Sequence, residues 1–394
     1  MATTTFGKRG LTKPAVSRAI KPAAPTSTAP EDQDDSAVSR LPLLTLGLIV
    51  FLFLIFEVER RFAFDIGKNG ELSLESLIAL GGVSYDRVVS AHEWWRLFLG
   101  PLLHLSYGHV IGNCFALLFI GARLEGMIGR TWLAAIFAVS ALSGDVGSLL
   151  GNAHSTTTVG ASGAISGLIG ALFVVSFQIA DPVIQRKMMR TAVRFGVPAL
   201  APLIFGAAGH VDYFAHSAGA VGGGIVGMVM SGLWREDRHY PGLGREVAAA
   251  TMIGLAATFV AAGFAASQFS SHAERAAQLI PSSESLGKDN PGKTAELAAR
   301  YPNDPRGHFA KAIMLIKAHD WSGAESALRR TLDVALANAS PQAFVDYTRT
   351  VLAAVLAEEG RRNEARQSVA SICRDKDQVA ANVRLVLQQA KLCD

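Results

Sequence analysis

The chain has 394 residues, of which 50% are hydrophobic, and it carries a formal net charge of +4. A mean hydropathy of +0.28 is too high for an ordinary soluble protein. The small positive excess is scattered along the chain, so no nucleic-acid partner is expected. The composition indicates a multi-pass membrane protein with more than one domain.

Residues 1–40 combine basic side chains with Pro, Ser and Thr and contain no apolar core before Leu41. Such a segment buries too little apolar surface to fold, and it lacks the hydrophobic region of a cleaved signal peptide. We expect a disordered cytoplasmic tail. We prefer a bacterial inner membrane as the location, because the tail carries no obvious organelle signal.

Seven apolar segments follow this tail, each about long enough to cross a bilayer. Because lipid offers no water to a bare backbone, each segment is predicted to be helical. The segments are Leu41–Phe56, Leu102–Leu124, Trp132–Leu150, Val159–Ile179, Ala192–Ala208, Val211–Trp234 and Val247–Phe269. The prediction is an all-α polytopic bundle of six transmembrane helices plus a seventh.

Basic residues mark alternate connections between these segments. Arg123 and Arg130 lie between the second and third, and four more lie between the fourth and fifth, whereas Gly151–Thr158 has none. Positive-inside reasoning puts the N-terminus in the cytoplasm and the end of the seventh segment outside. The connection Glu57–Pro101 should be external although it is basic, and its acidic residues predict a folded element.

Charged residues return from about His272, where the long apolar runs end. Helical patterns separated by turns make residues 272–394 resemble a soluble tetratricopeptide-like array, although the spacing exceeds that family's usual period. Such arrays bind peptides or partner proteins, and a small helical domain with no ligand is the alternative. Residues 41–234 then form a membrane core, and residues 235–271 a linker and the seventh helix.

The three cysteines match no metal-ligand spacing, and neither a metal nor another cofactor is expected. Cys114 lies in an apolar segment and is predicted to pack there. Cys373 and Cys393 would form a disulfide if the C-terminal region faces an oxidising compartment, and two free thiols are the alternative.

The fourth segment opens with Gly160-Ala161-Ser162-Gly163, where a hydroxyl lies among small residues. Small residues four positions apart let another helix pack closely, and this alone explains the segment. His216 changes the interpretation, because an ionisable side chain at membrane depth usually marks function. Glycines follow His216 at helical spacing, so its helix can approach Ser162. A neutral imidazole can take the serine proton and later protonate a leaving amine.

His109 and Asn113 lie four residues apart in the second segment and therefore share one helix face. With the backbone N–H of Ser162, their side-chain N–H groups would stabilise an oxyanion, an effect worth roughly 2.7–4 kcal/mol per donor. Interhelical hydrogen bonding explains each residue taken alone. The four residues in this order favour catalysis.

These residues resemble the rhomboid intramembrane serine proteases over about Leu41 to Trp234. The motifs are Gly160-Ala161-Ser162-Gly163, His109-x-x-x-Asn113 with His104 before it, Ala215-His216-x-x-Gly219, and Trp95-Arg96. The resemblance implies Ser162 as nucleophile, His216 as general base and acid, and His109 and Asn113 as oxyanion partners, with Gly160 and Gly163 as motif backbone. It also implies cleavage of single-span membrane proteins within the lipid bilayer.

Two features depart from that pattern or complicate it. Some relatives have a tyrosine four residues after the nucleophile, where this chain has Ser166. The orientation of His216 must therefore come from helix packing or another hydrogen bond. Asp212 lies four residues before His216, but an Asp ahead of an apolar run is typical of a helix N-cap, so a dyad is predicted.

Hydrolysis in a membrane needs access for water and substrate. Ser155 to Thr158 suggest a polar mouth for water, and Pro198 and Pro202 predict a bent or mobile fifth helix that admits substrate sideways. Two other classes of function compete with proteolysis. One is a catalytically silent adaptor that binds membrane helices and recruits partners. The other is a small-solute transporter, which the lack of repeated halves in the sequence disfavours.

Overall fold

The computed structural model describes residues 41–67, 69–152, 156–200, 211–234, 241–281, 284, 286, 291–338, 340, 342–374 and 381–393. The predicted tail 1–40, Ser155 and Pro202 lie outside these residues. Within the described ranges the regular structure is helical apart from two isolated β-bridges, which confirms the all-α prediction.

The helices fall into a membrane part and a C-terminal part. The membrane part contains α1 (Leu43–Phe62), α2 (Leu74–Leu80), α3 (Arg96–Leu99), α4 (Tyr107–Ile128), α5 (Arg130–Gly151), α6 (Ser162–Ser176), α7 (Pro182–Leu200), α8 (Tyr213–Leu233) and α9 (Gly244–Ala276). The C-terminal part contains α10 (Pro291–Arg300), α11 (Pro305–Lys317), α12 (Trp321–Ala337), α13 (Gln342–Glu358), α14 (Arg362–Arg374) and α15 (Ala381–Gln389).

Several of the described helices suit a membrane in length and composition. Four of them, α4, α5, α8 and α9, are long and apolar enough to cross a membrane, and α6 is a shorter apolar helix. The chain is therefore a multi-pass membrane protein, as predicted.

Two helix starts differ from the hydropathy prediction by five residues or more. α4 begins at Tyr107 rather than Leu102, because the Ser106 hydroxyl accepts a hydrogen bond from the His109 amide. α7 begins at Pro182, before the predicted segment, where the Asp181 carboxylate accepts from backbone amides of the first turn. Hydropathy marks the part of a helix that enters lipid, whereas capping bonds decide where the helix begins. The basic connection between the fourth and fifth segments is therefore helical.

The backbone of α6 touches the helices on both sides of it. A Cβ atom on Gly219 of α8 would collide with the carbonyl oxygen of Gly163, and one on Gly223 with that of Gly167. Towards α5, a Cβ atom on Gly167 would collide with the Ser140 hydroxyl. Larger side chains at these positions would push the helices apart, which confirms the predicted small-residue faces.

The connection between α1 and α4 is folded, as its acidic residues predicted. It contains α2, a π-helical turn (Asp86–Ser90) and α3, and the fully buried Arg96 joins them. The Arg96 guanidinium donates to two backbone carbonyl oxygens of this connection and pairs with Glu93. Val83 and Thr158 exchange two backbone hydrogen bonds of 3.0 and 2.7 Å. The connection therefore also fixes the segment that leads into α6.

The seventh membrane helix, α9, lies against α5, α2 and α3. It runs past the predicted end at Phe269, whose ring contacts those of Phe62 and Phe64 at centroid distances of 5.8 and 5.1 Å. These contacts hold the C-terminal part of α9 against the end of α1 and the connection that leads into α4.

The C-terminal helices share a hydrophobic core of their own, in which α11 to α14 pack as successive neighbours. A disulfide joins Cys373 to Cys393. Cys114 is a buried free thiol on α4, in agreement with its predicted packing role.

The glycine contact between α6 and α8 predicts the effect of a single methyl group. Gly223→Ala should lower the free energy of unfolding by about 1–3 kcal/mol, because the new Cβ atom meets the Gly167 carbonyl oxygen. Unfolding by dodecyl sulfate in mixed micelles measures this change. Gly232→Ala in the same helix, with no atom within 4 Å of the new Cβ, is the control and should change stability by less than about 0.5 kcal/mol. Equal stability of the two variants would contradict the contact.

Candidate active site

A cavity of about 740 Å³ opens between α4, α6, α8 and the connection that precedes α4. Its lining includes the four side chains that the sequence singled out for chemistry: His109, Asn113, Ser162 and His216. Ser162 and His216 therefore line the same cavity, although they lie on different helices.

Ser162 is the first residue of α6, and its position depends on the backbone at Gly160. Gly160 has φ +121°, which favours glycine, and it turns the chain into the helix. A Cβ atom there would lie 2.7 and 2.8 Å from two atoms of the His109 ring and 3.5 Å from the Asn113 amide nitrogen. The turn at Gly160 thus brings Ser162 beside the two side chains of α4.

Gly163 serves a different purpose from Gly160. A Cβ atom on Gly163 would lie 3.4 Å from both the Ala215 carbonyl oxygen and the Gly144 Cα atom, which is about van der Waals contact with α8 and α5. Gly160 is therefore required by the turn, whereas Gly163 lies where three helices pack closely.

His216 is buried on α8, and a backbone carbonyl sets its protonation pattern. Its Nδ1 lies 2.9 Å from the carbonyl oxygen of Ala199 on α7. Because a carbonyl only accepts hydrogen bonds, Nδ1 carries the hydrogen and Nε2 keeps its lone pair in the neutral ring. Among the described residues no group bonds Nε2. The Tyr213 ring packs edge-on against the imidazole at 6.3 Å.

This arrangement explains how the imidazole is oriented with Ser166 four residues after Ser162. Ser166 is buried in α6, and the Ala199 carbonyl with the Tyr213 ring orients His216 instead. Asp212 is the N-cap of α8, as predicted. Its carboxylate accepts from the Ala215 amide at 2.9 Å and the Thr158 hydroxyl at 2.7 Å, and those bonds occupy it away from the His216 ring.

His104 contacts the proposed oxyanion group Asn113. Its Nδ1 lies 3.1 Å from the Leu102 carbonyl oxygen, and its Nε2 lies 3.0 Å from the Asn113 amide nitrogen. Because the carbonyl must accept, Nδ1 donates and Nε2 accepts from the Asn113 amide. This hydrogen bond holds one N–H of the Asn113 amide and thereby sets the direction of its other N–H. The His104 backbone amide is in turn held by the Glu59 carboxylate at 2.8 Å.

His104 was part of a sequence motif, but the sequence predicted no role for it. Its two partners are a backbone carbonyl and a side chain nine residues later, and they meet only because α4 begins at Tyr107. His109 packs beside it with ring centroids 5.1 Å apart.

The predicted polar mouth lies at this cavity. Thr156, Thr157 and Thr158 line its wall together with Asn152, and Ser155 lies outside the described residues. Pro198 lies inside α7, as expected for a bent helix, and its partner Pro202 lies outside the described residues.

The fold and the cavity define a multi-pass α-helical membrane protein with a polar site between its spans. Residues 91–233 match the Rhomboid domain. A putative rhomboid protease of Bacillus subtilis (strain 168), YdcA, is 30% identical over 160 residues, which cover 40% of this chain and 76% of that protein. The chain belongs to the rhomboid family.

Two further relatives are longer than the matched region. RHOMBOID-like protein 1 of Arabidopsis thaliana is 34% identical over 172 residues, which cover 43% of each chain. Rhomboid protease GluP of Bacillus subtilis (strain 168) is 27% identical over 176 residues, 44% of this chain and 33% of that protein. The chain thus matches less than half the length of these two relatives.

The buried His104 predicts a pH dependence of stability. Burial, with the nearby His109 imidazole, lowers the pKa of His104 to about 3, against about 6.5 in an unfolded chain. Between these values the unfolded chain binds a proton that the folded chain does not, so stability falls as the pH drops through this window. The loss attributable to His104 should reach about 3 kcal/mol at pH 4.5 relative to pH 7.5.

Unfolding by dodecyl sulfate between pH 7.5 and 4.5 measures this loss. His104→Gln removes the titrating group while its amide oxygen can still accept from Asn113, so its stability should depend less steeply on pH. His308→Gln in α11 is the control for the loss of a histidine elsewhere. The same slope for His104→Gln and the native chain would contradict the assignment.

Proposed function

We propose that this chain is an intramembrane serine protease that cleaves peptide bonds in or near transmembrane segments by a Ser162–His216 dyad. The observation that carries the proposal is that both side chains line one cavity, with Nε2 of His216 left free by the bond from Nδ1 to Ala199. Family membership supports the same class of reaction.

The chemistry follows from these groups. Nε2 of His216 takes the proton of the Ser162 hydroxyl as its oxygen attacks the peptide carbonyl, and the carbonyl oxygen becomes an oxyanion. The protonated imidazole then gives this proton to the departing amine as the C–N bond breaks. The same imidazole then takes a proton from a water molecule, whose oxygen attacks the acyl carbon. The bond from that carbon to the Ser162 oxygen breaks, and the imidazolium returns the proton to this oxygen.

Three groups are suited to stabilise the oxyanion. The second N–H of Asn113 is directed by the bond to His104, and His109 lies beside it on the same helix face. The backbone N–H of Ser162 opens α6, where amides lack partners within the helix and the helix dipole is positive. Gly160 and Gly163 hold this backbone in place.

The substrates we propose are single-span membrane proteins that enter from the bilayer between α4 and α7. The contact to be opened includes the stacked rings of Phe119 and Phe195, 6.1 Å apart. Pro198 lies one turn beyond this contact and weakens the backbone bonding of α7. Water reaches Ser162 along the threonines of the segment before α6.

A silent adaptor is the second candidate, and the separate core of the C-terminal helices supports it. We divide the chain into a membrane core (41–234), a linker with the seventh helix (235–271) and a soluble tetratricopeptide-like domain (272–394). In either reading this last domain would bind a protein or peptide partner. Only the protease requires a reactive serine.

Labelling with a fluorophosphonate probe separates the two candidates. The native chain in detergent should label, and Ser162→Ala should not. His216→Ala should slow labelling by about 10²–10⁴-fold, the usual contribution of a general base. Ser166→Ala, one turn further along α6, is the matched control and should label like the native chain. Equal labelling of Ser162→Ala and Ser166→Ala would contradict the proposed nucleophile.

We also propose that the N-terminus is cytoplasmic and the C-terminal domain external, in a bacterial inner membrane. The Cys373–Cys393 disulfide supports this orientation, because disulfides persist in oxidising compartments. The clustering of basic residues at the other ends of the helices supports it as well.

A cysteine-labelling experiment tests the orientation. On intact cells expressing the chain, a membrane-impermeant maleimide should add two labels only after reduction, one each at Cys373 and Cys393. Cys114→Ala should label identically, because that thiol is buried on α4. Labelling that requires cell lysis would contradict an external C-terminal domain, and labelling that needs no reductant would contradict the disulfide.

A further inference from the structure

The first half of α7 carries a cluster of exposed cations that the proposed chemistry does not use. Arg186, Lys187, Arg190 and Arg194 line a surface groove of about 400 Å³ together with Val183 and Thr191. Arg186, Arg190 and Arg194 follow one another at intervals of four residues, so they lie on one helix face. We call this groove and its four cations the basic face of α7.

The charge of the basic face is uncompensated within the structure. Among the described residues, none of the four cations forms an ion pair with a carboxylate. The acidic residue nearest to them in sequence is Asp181, whose carboxylate accepts hydrogen bonds from the amides of Val183 and Ile184. A further cation, Arg123 of α4, reaches the edge of the groove and donates to the Thr191 hydroxyl at 2.9 Å. The groove therefore favours an anionic occupant.

The same side of α7 becomes apolar further along. Val193 and Val197 lie seven residues beyond Arg186 and Arg190, which places them on the same face and about 10 Å further along the helix axis. Their side chains are 48% and 57% exposed. The opposite face is packed against the bundle, where Phe195 stacks on a ring of α4.

We propose that the basic face of α7 binds the headgroup of an anionic phospholipid, whose acyl chain runs along Val193 and Val197. Three of the cations precede both exposed valines, and only Arg194 lies between Val193 and Val197, which matches the order of phosphate and hydrocarbon in such a lipid. A nucleic acid or a soluble acidic peptide would leave the valines without a partner. The positive-inside rule accounts for basic residues on this side of the membrane, but it does not require them on one face.

Native mass spectrometry of the full chain tests this binding independently of any proteolysis. The chain is released from nanodiscs that contain equal amounts of phosphatidylcholine and phosphatidylglycerol, and the retained lipids are counted. Three variants accompany it. One replaces Arg186, Lys187, Arg190 and Arg194 by Gln, one replaces the three arginines by Lys, and a control replaces Lys311, Lys317, Arg330 and Arg366 of the C-terminal helices by Gln.

The native chain should retain phosphatidylglycerol over phosphatidylcholine, and the Lys variant and the control should keep that preference. Each cation near an anionic surface contributes roughly fivefold to affinity. The preference of the four-Gln variant for phosphatidylglycerol should therefore be at least about tenfold weaker than that of the native chain. A native chain that shows no preference would overturn the proposal without recourse to any variant. Retention by the four-Gln variant equal to that of the control would overturn it as well.

Discussion

The backbones of α6 and α8 touch, and the geometry of the site depends on that contact. The Gly163 carbonyl oxygen occupies the space that a side chain on Gly219 would need. Ser162 directly precedes the first of these residues, and His216 lies one turn before the second. Because a serine side chain is short, only helices at this small separation bring its hydroxyl near an imidazole. Close packing is also what holds helices together in lipid, where burial of apolar surface gives little driving force.

Backbone carbonyls, rather than carboxylates, orient the buried imidazoles of His216 and His104. His216 donates from Nδ1 to Ala199, and His104 donates from Nδ1 to Leu102. In each ring the tautomer leaves Nε2 as an acceptor, which in His104 is bonded by Asn113. Asp212 is close in sequence but is occupied as a helix cap. A neutral carbonyl suits this environment better than a carboxylate. A carboxylate would add a buried charge beside the imidazole, and burying that charge would carry a large desolvation cost.

Much of the architecture could be predicted from the sequence, because hydropathy and small-residue spacing are local properties. Ser162 and His216 were predictable because polar residues within apolar segments are few. The partner of His216 could not be predicted, because the Ala199 carbonyl is a backbone atom that every residue type carries. The role of His104 depends on where α4 begins, which the Ser106 cap decides. The start of α7 was predicted too late because its first turns are basic rather than apolar.

α7 is attached by side chains to two other helices of the bundle. Near its middle the Thr191 hydroxyl accepts from Arg123 of α4, and near its C-terminal end the Ala199 carbonyl accepts from His216 of α8. Pro198 lies between these two attachments and donates no hydrogen bond to the preceding turn, so bending is easiest there. A bend that parts α7 from α4 would stretch the 2.9 Å bond to His216. The imidazole would then be oriented for catalysis only after α7 returned, so substrate admission would precede chemistry.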